Sequence, residues 1–148
     1  TLVEKIRNAL NFNQGFMTTE LTAAAILDMR WHELTSLDGI DVQQFEKDEM
    51  AKIGLIPEIA PRYCSTNFNH VFNNGYSAGY YSYLWAEVLD KDAFEVFREK
   101  GQFDQATAAS FRRNCLEKGG SEDPMTLFVR FRGAQPNPDA MLKGRGLK

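Results

Sequence analysis

The chain has 148 residues, a formal net charge of −3, 43% hydrophobic residues and 25% charged residues. Its length is that of one domain able to bury a substantial core. The weak charge, with both signs interspersed, excludes the basic stripe of a nucleic-acid-binding protein. No apolar run approaches the roughly 20 residues that a membrane span needs. We therefore expect neither nucleic acid nor a membrane as a partner.

The first part of the chain contains two helical patterns. Residues 2–12 form the first, and we expect Gly15 to interrupt it because glycine disfavours a helix interior. Thr18 or Thr19 then suits the N-cap of a second helix, since a hydroxyl oxygen accepts from the free amides of the first turn. This second helix is predicted to continue through an alanine-rich run to Trp31.

The middle of the chain predicts a third helix, an irregular connection and a long helix. Asp41 suits the N-cap of the third helix, which is expected to stop at Gly54. Prolines follow, so residues 55–75 are expected to be extended or irregular, with short helical turns near residues 65–71. A long helix is predicted over residues 77–100.

The last part predicts two further helices and a loose tail. Asp104 suits the N-cap of a helix that runs to about Lys118, and Ser121 suits the N-cap of one that ends at Gly133. Residues 134–148 are expected to close the chain loosely. No segment alternates polar and apolar residues for long enough to predict a strand, so the predicted fold class is all-α.

Residues 70–85 are unusually rich in aromatic side chains, with four of the five tyrosines of the chain. If a helix begins after the loop, Tyr76, Tyr80 and Tyr83 fall at positions i, i+4 and i+7 and share one face, just beyond His70. Phenol and imidazole groups donate hydrogen bonds at neutral pH. Such a cluster at a loop-to-helix corner suits a wall that stabilises an oxyanion.

A second stripe of the same predicted helix, formed by Tyr81, Leu84, Trp85 and Val88, is expected to be its buried face. The three phenols on the other face then either line a cleft or belong to an aromatic core. Spacing alone leaves both interpretations open. Asn73, Asn74 and Gly75 tolerate unusual backbone angles and predict a flexible loop that could close over an extended substrate.

The other candidate motifs fail or are ordinary. His32-Glu33 begins an HExxH zinc motif, but Ser36 stands where the second histidine is required. With two histidines and no cysteine cluster, the chain is predicted to hold no metal. Cys64 and Cys115 have no CxxC partner and indicate reduced thiols in a cytoplasmic protein.

The aromatic block nevertheless resembles the C-terminal part of the thimet oligopeptidase family of zinc metallopeptidases, in particular its bacterial peptidyl-dipeptidase branch. Supporting matches are residues 27–32, 120–123 and 130–133, and the resemblance covers essentially the whole chain. The residues that carry it in the block are Arg62, Tyr63, Ser65, Phe68, His70, Val71, Phe72, Gly75, Tyr76, Ala78, Gly79, Tyr80, Tyr81, Tyr83 and Trp85.

The resemblance implies a partial enzyme. Residues 1–148 would be a single helical fragment, the C-terminal segment of a larger zincin-type catalytic domain. The HExxH motif and zinc would belong to the upstream part of the same polypeptide, which is therefore an expected partner. The chain does not begin with Met, which also suggests a fragment. Alone, it is expected to be inactive and to bind no zinc.

The family's roles carry over residue by residue. The resemblance implies that His70 bonds the substrate backbone and that Tyr76, beside Gly75 in the loop, closes onto bound peptide. It assigns oxyanion stabilisation to Tyr83 and a further substrate contact to Tyr80. Glycines are common in the family where Asn73 and Asn74 stand, which puts the rate of loop closure in question.

The function implied is removal of dipeptides from the C-terminus of short peptides. Two alternatives stay open at this point. One is an oligopeptidase of the same family that cuts internally, and the other is a non-catalytic helical module that binds peptides.

Overall fold

A computed structural model describes residues 1–148 and confirms the all-α prediction, with helices joined by turns and no strand. The chain divides into two compact units, Thr1–Leu84 and Trp85–Lys148. None of its helices is both long enough and apolar enough for a membrane span.

The first two helices differ from the prediction at their junction. Helix α1 (Leu2–Asn11) begins with a capping box on Thr1, and α2 spans Gln14–His32. The break therefore lies at Asn13, which adopts a φ of 60°, and not at Gly15. The prediction that Thr18 or Thr19 caps α2 is wrong, because both lie inside the helix. The hydroxyl of Thr19 donates to the carbonyl of Gly15 one turn earlier.

The third helix and the connection after it follow the prediction. Helix α3 (Val42–Lys52) is capped by Asp41, whose carboxylate accepts the amide of Gln44 at 2.9 Å. The connection contains a short 3₁₀ turn, Ser65–Asn67, and the one-turn helix α4 (Asn69–Phe72).

The long helix begins later than predicted, and the cause is a contact that lies far away in sequence. Helix α5 spans Ser82–Lys100, while residues 73–81 are wound into turns. The amides of Ala78 and Tyr80 donate to the carboxylate of Asp28 in α2, so they are not available for helical bonds. Ala78 also has a φ of 52°, which lies outside the right-handed helical region.

The first unit contains two hydrophobic clusters, and both include residues of α2. Small alanines, Ala24 and Ala25, let Phe68, Val71 and Tyr80 approach the helix closely in one cluster. The other cluster is formed by Ala23, Leu27, Trp31 and Met50. Because one helix serves both, α2 is the element that positions the aromatic block.

The second unit has three helices after α5. Helix α6 (Gln105–Phe111) is capped by Asp104 as predicted and continues into a π-helical turn, Arg112–Leu116. Helix α7 (Pro124–Arg132) ends at Gly133 as predicted, but its cap is Asp123 and not Ser121. The tail, predicted to be loose, contains helix α8 (Asp139–Gly144).

The second unit also buries a carboxylate. Asp92 of α5 accepts the guanidinium Nε of Arg132 at 2.9 Å and the amide of Asn137 at 3.0 Å. These bonds connect α5 with α7 and with the segment before α8. A buried charge that has both a cationic partner and an amide donor avoids most of the cost of desolvation.

Candidate functional site: a phenol and imidazole cluster

Three tyrosines of the block lie around His70, within the first unit. The ring centroid of His70 lies 5.9 Å from that of Tyr76, 5.5 Å from Tyr80 and 6.3 Å from Tyr83. Tyr63 adds a fourth phenol, with its centroid 4.9 Å from His70. The structure therefore brings together the four side chains predicted for the site, His70, Tyr76, Tyr80 and Tyr83.

The grouping arises from turns and not from one helical face. Residues 73–81 are not helical, so the i, i+4, i+7 argument does not explain it. The amide of Tyr76 instead donates to the carbonyl of His70 at 3.3 Å, which folds the loop back onto the imidazole. The hydroxyl of Ser77 donates to the carbonyl of Val71 at 2.6 Å and holds the same return.

Tyr76 and Tyr83 form a stacked pair. Their ring centroids are 5.3 Å apart with an interplanar angle of 15°. The rings are 36% and 42% exposed, respectively.

The pairing makes Tyr83 a weaker acid. The hydrogen bond with Tyr76 is the largest cause and burial is the second, and together with neighbouring phenols they raise the pKa of Tyr83 to about 12. The bond favours the protonated form, because an ionised Tyr83 would lose the proton that it shares. Tyr83 consequently keeps its proton far above neutral pH.

Tyr80 lies beneath this pair and is only 3% exposed. Its ring packs against Phe68, with centroids 4.9 Å apart, and against Tyr83 at 5.1 Å. Burial raises the pKa of Tyr80, while a hydrogen bond with Arg62 acts in the opposite direction. In this chain Tyr80 is a core residue, and its contact with a substrate stays a prediction.

His70 is held by rings on several sides. Its Nδ1 atom is buried and makes no hydrogen bond within the chain. A hydrogen bond from His70 to a substrate would therefore come from Nε2. The tilted contact with Tyr63 and the edge contact with Phe68 restrict how far the imidazole can turn.

The loop before Tyr76 does not use the unusual backbone angles that its composition allows. None of Asn73, Asn74 and Gly75 has a positive φ, and Ala78 is the residue that does. A Cβ atom added to Gly75 would meet nothing within 4 Å. In the observed conformation glycine is not required at this position.

The predicted buried stripe of α5 is largely wrong. Tyr81 and Trp85 are exposed, and only Val88 of that set is buried. The stripe was derived for a helix that begins at residue 77. Because residues 73–81 form turns, Tyr81 is not in register with the helix that follows.

The residue that the sequence reasoning missed is Asp28. It is fully buried, and its two carboxylate oxygens accept the amides of Ala78 at 3.0 Å and Tyr80 at 2.9 Å. The Nδ1 atom of His32 lies 2.9 Å from the same carboxylate. Two signals were available: a carboxylate inside an apolar helical run, and a histidine four positions later on the same helical face.

Metal-ligating groups do not converge in this chain. No group of three or more His, Cys, Asp or Glu side chains could hold a metal ion. Cys64 and Cys115 are free, and burial raises the pKa of each thiol. A cavity of about 520 Å³ in the second unit is lined mostly by apolar side chains. It therefore offers few hydrogen-bonding groups, in contrast to the phenol cluster.

Comparison with known proteins identifies the family. Residues 1–147 match the model of Peptidase family M3. The chain belongs to this family, which confirms the resemblance seen in the aromatic block.

The relatives include two kinds of named peptidase. The chain is 43% identical to the dipeptidyl carboxypeptidase of Salmonella typhimurium and 42% identical to that of Escherichia coli. It is 38% identical to oligopeptidase A of Escherichia coli. Each alignment covers 148 residues, or 99% of this chain and 22% of the relative. The chain thus spans about a fifth of the length of the curated relatives it matches.

Proposed function

We propose that the chain is the C-terminal part of a zinc peptidyl-dipeptidase that removes dipeptides from the C-terminus of short peptides. Its contribution is the wall of the active site that binds the substrate backbone and stabilises the oxyanion. The observation that carries the proposal is the Tyr76–Tyr83 pair beside His70, since it presents partly exposed donors next to an imidazole. A cytoplasmic location belongs to the same proposal and rests on the family resemblance.

The donors suit a reaction in which negative charge develops on a carbonyl oxygen. As a peptide carbonyl is attacked, its oxygen becomes an oxyanion, and a phenol O–H held beside it donates more strongly. Tyr83 provides this donor in the proposal. A phenol with a pKa of about 12 stays protonated throughout the neutral range, and in this proposal its proton turns from Tyr76 to the oxyanion as the substrate binds.

Tyr76 and His70 have binding roles. Tyr76 ends the 72–76 loop, with Gly75 just before it, so movement of the loop would carry its hydroxyl towards or away from the peptide. His70 offers Nε2 to the peptide backbone. Tyr80 packs under the pair, and its burial favours a supporting role over a direct contact.

In this proposal the zinc ligands do not come from this chain. The donor set in this chain does not fit a zinc site, because no three His, Cys, Asp or Glu side chains converge. The proposal therefore places the ion and its HExxH ligands in the upstream part of the polypeptide. None of the roles given above to the tyrosines and His70 requires a metal ligand from this chain.

The second candidate is an oligopeptidase of the same family that cuts internally. The chain is 38% identical to oligopeptidase A over as many residues as it aligns with the dipeptidyl carboxypeptidases, so this second candidate stays open. A non-catalytic peptide-binding module would require that the full-length protein has no HExxH. The 43% identity to a dipeptidyl carboxypeptidase favours the first proposal over both.

The test compares two forms of one peptide with the full-length protein. A peptide with a free C-terminal carboxylate should be shortened by two residues, and its C-terminal amide should be cleaved much more slowly. Equal cleavage of both at an internal bond would identify the oligopeptidase. Binding of both peptides without cleavage, with zinc supplied in the assay, would identify the binding module.

A further inference from the structure

We infer that Asp28 is a positioning residue that holds the Tyr76–Tyr83 pair in its productive geometry. The inference rests on the proposed function, because it concerns how the same phenols are placed. Asp28 touches neither phenol. It acts on the backbone that joins them, through two amides 50 and 52 residues away in sequence.

The two amides lie between the two phenols. Ala78 and Tyr80 are in the turn that separates Tyr76 from Tyr83. On one side, the amide of Gly79 donates to the carbonyl of Tyr76 at 2.8 Å. On the other, the amide of Tyr83 donates to the carbonyl of Tyr80 at 3.3 Å. Fixing residues 78 and 80 to α2 therefore fixes the backbone at both ends of the pair.

A carboxylate is the side chain that this position requires. Both oxygens face N–H donors, one to Ala78 and one to Tyr80. An ionised Asp offers acceptors only, whereas an Asn has one oxygen and one NH₂ group. Asn at position 28 would turn an N–H group towards one of the two amides and lose that bond.

His32 connects the same carboxylate to a second part of the site. Its Nδ1 atom lies 2.9 Å from Oδ1 of Asp28 and 2.8 Å from the carbonyl of that residue. Its ring stacks on Phe72, with centroids 6.0 Å apart and an interplanar angle of 25°. Phe72 ends α4, directly before the loop that leads to Tyr76. Asp28 and His32 thus brace the loop from both of its ends.

Ala78 shows that the turn needs this support. Its φ of 52° lies in the left-handed region, which is unfavourable for a residue with a Cβ atom. Such conformations persist where the surroundings hold them in place. The bond from the Ala78 amide to Asp28 is the contact that does so here.

The test is a double-mutant cycle in the full-length zinc enzyme. Asp28→Asn is made in the wild type and in a Tyr76→Phe/Tyr83→Phe background. In the wild type we expect kcat to fall by about 100-fold with KM nearly unchanged, since misplacement of a catalytic group by about 1 Å has an effect of this size. In the phenol-free background the same substitution should lower kcat by no more than about threefold, because the groups through which it acts are gone.

The control for burial of a carboxylate is Asp92→Asn in the second unit, where Asp92 also accepts two donors. This control should not lower kcat by 100-fold. Its kcat, per folded molecule, should stay close to that of the wild type. Should Asp28→Asn fail to fold, the cycle is run in an Ala78→Gly background, because glycine tolerates a positive φ.

Two results would overturn the inference while leaving the proposed function intact. One is a wild-type kcat for Asp28→Asn, and the other is an equal loss in both backgrounds, which indicates a general structural effect. A phenol-free enzyme with wild-type kcat would instead contradict the proposed function, and the inference with it.

Discussion

Replacing Tyr76 by Phe should make Tyr83 a stronger acid. Two of the causes that raise the pKa of Tyr83 come from Tyr76: the hydrogen bond, which is the largest, and the charge of its phenol. Both disappear in Tyr76→Phe. Burial and the neighbouring Tyr80 and Tyr63 remain, so the pKa should fall from about 12 towards the ordinary value of 10.0 without necessarily reaching it.

The assay is a difference titration of phenolate absorbance on the full-length protein. Tyr76→Phe is compared with Tyr76→Phe/Tyr83→Phe, so that the difference reports Tyr83 alone. The sign follows from the lowered pKa: Tyr83 loses its proton at a lower pH, and the alkaline decline of kcat should move with it. An unchanged titration near pH 12 would show that Tyr76 does not hold the proton of Tyr83, and would refute the pairing as the cause.

Three further substitutions test the loop, the scaffold and a cap. Gly75→Ala should leave stability unchanged or slightly higher, because a Cβ atom meets open space there. It should lower kcat if loop closure uses backbone angles that only glycine reaches. Gly120→Ala, in similarly open space, is the matched control. Thermal unfolding and kcat are measured together, and a wild-type kcat would argue against a hinge at residue 75. Phe68→Ala, at a site 1% exposed, should lower the free energy of unfolding by about 3–5 kcal/mol in urea, and a loss below about 1 kcal/mol would contradict its place in the core. Asp123→Ala should cost about 1 kcal/mol and Ser121→Ala almost nothing, whereas the reverse order would restore the cap predicted from sequence.

Local chemistry predicted most of the helices. The caps at Asp41 and Asp104 were found because a carboxylate bonds an amide three residues later, which is a short-range interaction. The stop at Gly133 follows from its left-handed φ of 83° in the same way. The cap predicted at Thr18 is wrong because the helix already runs through that residue. The cap predicted at Ser121 is wrong because Asp123 has the same chemistry and occupies the cap position.

The start of α5 could not be predicted from local patterns. The turn over residues 73–81 depends on Asp28, which lies about 50 positions earlier. Nothing within that segment indicates that two of its amides will be bonded elsewhere. The side chains predicted for the site do lie close together, because clustering in sequence between His70 and Tyr83 also keeps these residues close in space, while their roles stay predictions. The reason given for it, a shared helical face, was wrong.

Which tyrosine is buried and which is exposed also depends on tertiary contacts that the sequence does not reveal. Tyr80 and Tyr83 are three residues apart and chemically identical, yet one is 3% exposed and the other 42%. Phe68 and the alanines of α2 cover the first ring. The second is stacked on Tyr76 and has no such cover from α2.

The most direct test of the proposed role is the turnover of Tyr83→Phe in the full-length enzyme, measured on a peptide with a free C-terminus. Phe keeps the ring and its stacking on Tyr76 and removes only the hydroxyl. Loss of one oxyanion donor costs about 100- to 1000-fold in kcat, so we expect a fall of that size with little change in KM. A variant with wild-type kcat would contradict the assignment of Tyr83 as the oxyanion donor.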